Sequence, residues 1–430
     1  MGFGVGRIFQ GVRFAFACFL FLAVLSGCAG YRQTLENCYL YAKAQNYEKA
    51  LATLDRSFLA HSRKNKLLYL MEKGHLLHLK GDYRESNQIL EQAEHLAEEL
   101  FTRSLSAESL SFVTNDSLIP YPGEDYESVY LNYYKALNYL ALGELDEARV
   151  ECRKVDEKLN YFTDTYEGRN VFKESAFLRF LTGLIYEAQG DPNNAFIAYR
   201  KSLAAYRTYW EKYRVAAPKA LWSRLLVSAR RTGFADEYQK YLKQARAAGV
   251  DPDEEGTIIA VIVDKGFAPV KREVFAFFPT EYGFPVKLAV PEFQSGPPAI
   301  GSIVVSVDGG NWVKAERVED VDAIARQSLA DKKGRVLVKA VARAVAKQLA
   351  ARQAQEEYGP LAGLTAQVAA FLTERADLRS WTLLPAEILL AVVPAKPGWN
   401  TVTVSLGGSQ ESRRVKLEEN SVGFVNLRAF

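Results

Sequence analysis

GELDEAR at residues 143–149 recurs in altered form three more times in the first half of the chain, as QNYEKAL at 45–51, GDYRESN at 81–87 and GDPNNAF at 190–196. Each copy opens on Gly or Gln, continues with Asp, Glu or Asn, and places a small residue five positions after the first: Ala50, Ser86, Ala148 and Ala195. Seven residues before Gly81 and Gly190 stand Gly74 and Gly183, and the same offset before Gly143 gives Ala136. Four residues past the small position come Leu54, Leu90, Cys152 and Tyr199. A Gly between two helical patterns marks a turn, and small side chains at fixed spacing let helices cross closely.

This spacing resembles the tetratricopeptide repeat, in which antiparallel helix pairs stack into a solenoid and a large residue meets the next pair. A fifth, degenerate pair is predicted from Pro218 to Ala247, with Gly233 at its turn and Pro218 opening its first helix. From 45 to 81 is 36 residues, but 81 to 143 is 62 and 143 to 190 is 47. The first excess, 101–124, is either a partly helical extension or a loop folded over the solenoid. The second holds NYFTDTYEGRN, 160–170. All but two of the 23 tyrosines fall between Tyr31 and Tyr241. Many fill core positions; the adjacent Tyr133 and Tyr134, which should point in different directions, and Tyr209 with Trp210 are candidates to line a groove for a protein partner. Arg149 and Arg153 are further partner candidates, although such charges more often form pairs within a helix.

DPDEEG (251–256) partly imitates a calcium loop, but position 262 is Ile where the loop requires Glu, so it reads as a linker. Beyond it the pattern turns to strands: 257–264, 273–278, 286–290, 302–307 and 312–318. A helical period returns over 318–332, 335–357 and 361–375, and strands resume at 386–393, 400–406, 412–419 and 422–429. The expected fold class is therefore α+β: a tetratricopeptide-like α-solenoid over 28–250, then a β-sandwich-like domain over 257–430 with a helical insertion at about 318–376. In the insertion, Lys339, Arg343 and Lys347 form a cationic stripe, read as a solvated face or an anionic-lipid contact.

Residues 1–27 carry Arg7, Arg13 and no acid, then twelve apolar residues from Phe14 to Leu25. As a helix these reach about 18 Å, short of the roughly 30 Å of a bilayer core, so 1–27 reads as a signal peptide. Leu25-Ser26-Gly27-Cys28 resembles the lipobox of bacterial lipoproteins, which makes Cys28 the expected site of lipid attachment. Ala29, where Asp would signal inner-membrane retention, resembles the outer-membrane pattern. Cys38 and Cys152 are expected to be buried free thiols.

The chain has 54 Lys and Arg against 51 Asp and Glu, which argues against a broad nucleic-acid surface. No nucleophile elbow, phosphate loop, dinucleotide fingerprint or Cys-x-x-Cys is present. His75 and His78 sit three apart on one helix, with too few further ligands for a metal. No catalytic residue, cofactor or metal is predicted.

Three segments together resemble one family: 121–159 (YPGEDYESVYLNYYKALNYLALGELDEARVECRKVDEKL), 266–293 (GFAPVKREVFAFFP with KLAVPEF) and 376–388 (ADLRSWTLLPAEI). It is an uncharacterised family of Gram-negative lipoproteins with tetratricopeptide repeats; Leu378 stands where its Asp-x-Arg-x-Trp motif is expected to hold Thr. The resemblance implies a lipid-anchored protein of the outer membrane facing the periplasm. Its partner would be another envelope lipoprotein or a component of peptidoglycan synthesis. Asp377, Arg379 and Trp381 are read either as a recognition patch or as an Asp–Arg pair covering Trp at a join. The leading expectation is a non-catalytic adapter holding a protein partner in the repeat groove. The alternatives are an enzyme acting on an envelope polymer and a purely structural envelope component.

Overall fold

Gln45, Gly81, Gly143, Gly190 and Gly233 all take a left-handed backbone, with φ between 56° and 93°. These are the four repeat turns and the fifth, degenerate one. The computed structural model describes residues 35–106, 119–165, 175–251, 256–279, 285–294 and 301–430. Cys28, residues 107–118 of the stretch 101–124 and the acidic turn at 252–255 lie outside the described residues. Helix α1 (35–43) is followed by α2 (Tyr47–Asp55) and the short α3 (Phe58–His61). Then α4 (Lys66–Lys80) pairs with α5 (Tyr83–Ser106), α6 (Asp125–Leu142) with α7 (Leu145–Thr165), α8 (Ala176–Ala188) with α9 (Pro192–Tyr213), and α10 (Lys219–Arg231) with α11 (Ala235–Ala247). Helices α5, α7 and α9 also pack on the first helix of the following pair.

The small positions act as the spacing requires: Ala50, Ser86, Ala148 and Ala195 are fully buried. The large residues also pack inside their own pair. A Cβ at Gly74 would lie 2.5 Å from Leu90, and one at Gly183 would lie 2.3 Å from Tyr199. Both large side chains thus fill the gap left by a glycine in their own pair, and Tyr199 also reaches Arg224 of the next pair. Between pairs the seal is partly ionic. Lys135 of α6 is buried against Glu91 and Glu94 of α5 and Glu151 of α7, the last at 3.0 Å. Cys38 and Cys152 are buried free thiols, each pushed up to about 12 by burial.

The second half forms two four-stranded sheets and a hairpin. Strands β1 (Ile258–Lys265), β6 (Glu316–Asp320), β7 (Glu387–Pro394) and β10 (Val422–Ala429) make the first sheet, in the order β10-β1-β7-β6. Strands β4 (Ile303–Val307), β5 (Val313–Lys314), β8 (Gly398–Leu406) and β9 (Ser409–Leu417) make the second, ordered β5-β4-β8-β9. The hairpin joins β2 (Val270–Phe278) and β3 (Val286–Gln294). β1 runs parallel to β10 and antiparallel to β7. Its unbroken apolar run has a simple cause. Ile259, Val261 and Val263 face the second sheet, while Ile258, Ala260 and Ile262 join the core of the helices. One continuous core therefore runs from α1 to β10.

Two elements differ from the sequence expectation. The stretch 312–318 splits at buried Ala315, where the chain leaves the second sheet for the first. The insertion is two helices, not three: α12 (Val321–Tyr358) runs through Gly334, and α13 (Pro360–Thr373) returns along it. The cationic stripe is also not a solvated face. Arg343 is buried, and Arg343 and Lys347 reach Glu374 at 3.3 and 2.7 Å.

Candidate functional site

The face of the helical region predicted to be an open groove is covered by the first sheet and by the segment leading into β7. From α4, Glu72 accepts hydrogen bonds from Thr382 N (2.9 Å), Thr382 Oγ1 (2.6 Å) and Leu383 N (3.3 Å). From α6, Glu127 accepts from Trp381 N (2.7 Å), Tyr121 Oη (2.7 Å) and Glu124 N (3.0 Å). Arg379 donates to Lys64 O, Asn65 Oδ1 and Ile119 O and pairs with Asp377 at 2.6 Å. Trp381 is fully buried beside His75 and Tyr134. Two carboxylates on successive pairs thus hold backbone amides of the turn that leads into β7. It is a peptide-binding arrangement, filled by the chain itself.

The sheet is fixed in the same way. Tyr133 and Tyr134 donate to the two oxygens of Asp264 at 2.8 and 3.0 Å. His78 bridges Asn138 (2.6 Å) and Asn426 (3.0 Å). At the far end, Tyr206 donates to Val318 O and Tyr209 to Glu319 Oε1. Lys271 of β2 and Lys332 of α12 both reach Glu124, at 2.5 and 2.9 Å.

Burial dominates the electrostatics of this seam. It pushes Glu72 and Glu127 up to about 7 and Glu319 up to about 8, against the hydrogen bonds that favour their charged forms. Asp264 is raised for the same reason. Burial would also raise Glu124, but the ammonium groups of Lys271 and Lys332 hold it down at about 2. His75 and His78 are held neutral by burial, His75 well below its ordinary value. Among the described residues, no group of three or more His, Cys, Asp or Glu is placed to hold a metal ion.

The partner candidates fall into two sets. Tyr133, Tyr134, Tyr209, Arg379 and Trp381 are buried, and Asp377 is half-buried under Arg379. Tyr133, Tyr134 and Tyr209 are corrected from groove-lining residues to residues of the internal seam, because the sheet occupies the space a partner would need; Asp377, Arg379 and Trp381 follow the second of their two readings, an Asp–Arg pair with Trp buried at a join. The two adjacent tyrosines converge on one carboxylate instead of diverging. Arg153 and Trp210 are exposed, the latter with Arg214 over its ring, and half-buried Arg149 lies over Tyr186. Cys28 lies outside the described residues. Sequence reasoning missed Glu72, Glu127, Asp264 and Glu319. Their only signal is an acid at a position where the surrounding period calls for an apolar residue.

A second feature lies apart from the seam. Hairpin β2–β3 and α12 enclose an open cavity of about 640 Å³ lined by Phe278, Val286, Leu288, Val341, Val345 and Leu349, with Arg352 and Gln355 at its polar end.

No family model matches the chain, and no curated protein matches it. Solved structures similar to it include a kinesin light chain-like protein of Podosopora anserina with nearly identical TPR-like repeats. It shows 18% identity, 51% of this chain and 94% of that chain covered, and a TM-score of 0.33. BtubC (BKLC) from P. vanneervenii shows 13% identity, 55% and 89% covered, and a TM-score of 0.34.

Proposed function

We propose that the chain is a lipid-anchored, non-catalytic scaffold of the cell envelope. The leader is cut ahead of Cys28, and acyl chains on Cys28 hold the protein to the outer membrane, facing the periplasm. The helix pairs then present a protein partner, another envelope lipoprotein or a component of peptidoglycan synthesis, with the outer row of second helices instead of the inner face. The observation that carries this reading is the closed seam. Residues 381–383 and the first sheet occupy the inner face, whereas Arg153 on α7 and Trp210 on α9 remain open to solvent. Exposed Trp and Arg are the side chains that most often anchor protein interfaces.

The raised carboxylates do not favour a hydrolase. Glu72 and Glu127 are fully buried and accept from backbone amides of the chain itself, so neither faces a space where a substrate could sit. In-cell photocrosslinking tests the reading. A crosslinker at Arg153 or Trp210 should capture one defined envelope protein, and Cys28→Ala should release the chain from membranes in a carbonate wash. No adduct from either position, or a Cys28→Ala chain that stays membrane-bound, contradicts it.

A further inference from the structure

The arm built from β2–β3, α12 and α13 exposes apolar side chains in more than one direction. Successive residues of a strand point to opposite faces. On β2 both sets are exposed: Val274 and Phe278 on one face, Phe275 and Phe277 on the other, at 38–52%. On α12, Val338, Val341, Val345 and Leu349 follow the three-and-four spacing of one helix face and are each about half exposed. On α13, Leu361, Leu364, Val368 and Leu372 repeat that spacing, and Leu361 is 74% exposed.

Charge narrows what can cover this surface. Residues 332–352 hold seven Lys or Arg and no Asp or Glu; Lys332, Arg343, Lys347 and Arg352 are paired with Glu124, Glu374 and Glu356, and residues 360–373 hold no charge at all. Two such arms repel, which disfavours a second copy. A protein groove would cover one face and leave the others in water, whereas lipid covers every side. The dimensions suit an interfacial position. The 14 residues of α13 span about 21 Å, less than the roughly 30 Å hydrocarbon core. No helix among the described residues is long and apolar enough to cross a membrane.

We propose that this arm enters the interface of an anionic phospholipid bilayer, with its apolar side chains among the acyl chains and basic side chains such as Lys333 and Lys339 at the phosphates. Long Lys and Arg side chains suit this arrangement, since their stems lie along apolar surface while their charges reach polar groups. The contact requires neither lipid on Cys28 nor a protein partner, so it stands or falls separately from the scaffold reading.

A local probe tests it. In the full chain carrying Cys18→Ser and Cys28→Ser, the remaining Cys38 and Cys152 are buried, so an environment-sensitive thiol probe attaches at Leu349→Cys. Vesicles containing phosphatidylglycerol should shift its emission to the blue and allow quenching by nitroxides on the acyl chains. Vesicles of phosphatidylcholine alone should do so weakly. The same probe at Thr401→Cys, on the exposed face of β8, should not respond. Adding Lys333→Glu and Lys339→Glu should weaken the Leu349→Cys response by about tenfold or more. A silent probe at 349 overturns the proposal, as does an equal response at 401. A shift that grows with protein concentration in the absence of vesicles also overturns it, and assigns the surface to a second copy.

Discussion

Glu72 shows what the seam demands of a single side chain. It is fully buried, yet it accepts three hydrogen bonds from residues more than 300 positions away. Its carboxyl titrates at about 7 in the folded protein against an ordinary 4.5. Between those values the folded state holds the proton more tightly than the unfolded chain. This contribution to stability is therefore full below about pH 4.5 and is lost as pH rises through 7. Glu127 acts with the same sign, and Glu124 with the opposite one, its contribution being lost as pH falls towards 2. Glu72→Gln removes one of these titrations. Thermal unfolding at about pH 5 and about pH 8 should show the variant gaining on the native protein at the higher pH; a pH-independent difference contradicts the assignment. Nothing near Glu72 in the sequence announces this role, because its partners Thr382 and Leu383 are local to it only after folding.

At the scale of elements, helix pairing was legible from the turns. A left-handed residue, a small residue five positions on and a glycine seven positions back are local requirements of two helices that cross closely. The strands were legible for a similar reason, since apolar alternation and Gly/Pro punctuation persist along each. What local pattern could not provide was the junction at Ala315, where one apolar stretch serves two sheets, and the passage of α12 through Gly334. An internal Gly weakens a helix by only about 1 kcal/mol, which neighbouring turns outweigh. The glycine rule has a measurable consequence. Tyr199 is rigid and donates to Glu187 at 2.7 Å, and Glu187 is also bound by Arg224, so the ring cannot retreat from a Cβ at position 183. Gly74 faces the flexible end of Leu90. Gly183→Ala should therefore destabilise by about 1–3 kcal/mol or more, and Gly74→Ala by less, in chemical denaturation. Equal effects would show that the Tyr199 contact is not the constraint.

At the scale of the whole molecule, two halves with different local periods share one core, and the surface expected to receive a partner receives the chain's own sheet. The motif Asp377-x-Arg379-x-Trp381 stood out in the sequence, and both readings of it were open there. The structure resolves them, since Arg379 and Trp381 lock the approach to β7 against α4 and α6. Which surface remains for others follows from that closure. The outer helices and the apolar arm lie outside the seam, and the proposals for partner and bilayer rest on them.

Residues 381–383 lie in a turn with no strand or helix around them, so their amides would ordinarily exchange with solvent quickly. Hydrogen exchange by mass spectrometry or NMR on the native chain reads their protection directly. If Glu127 and Glu72 hold them as described, the amides of Trp381, Thr382 and Leu383 exchange as slowly as those of β1, through unfolding of the shared core. Exchange at the rate of an exposed loop would mean that the inner face of the helix pairs stands open.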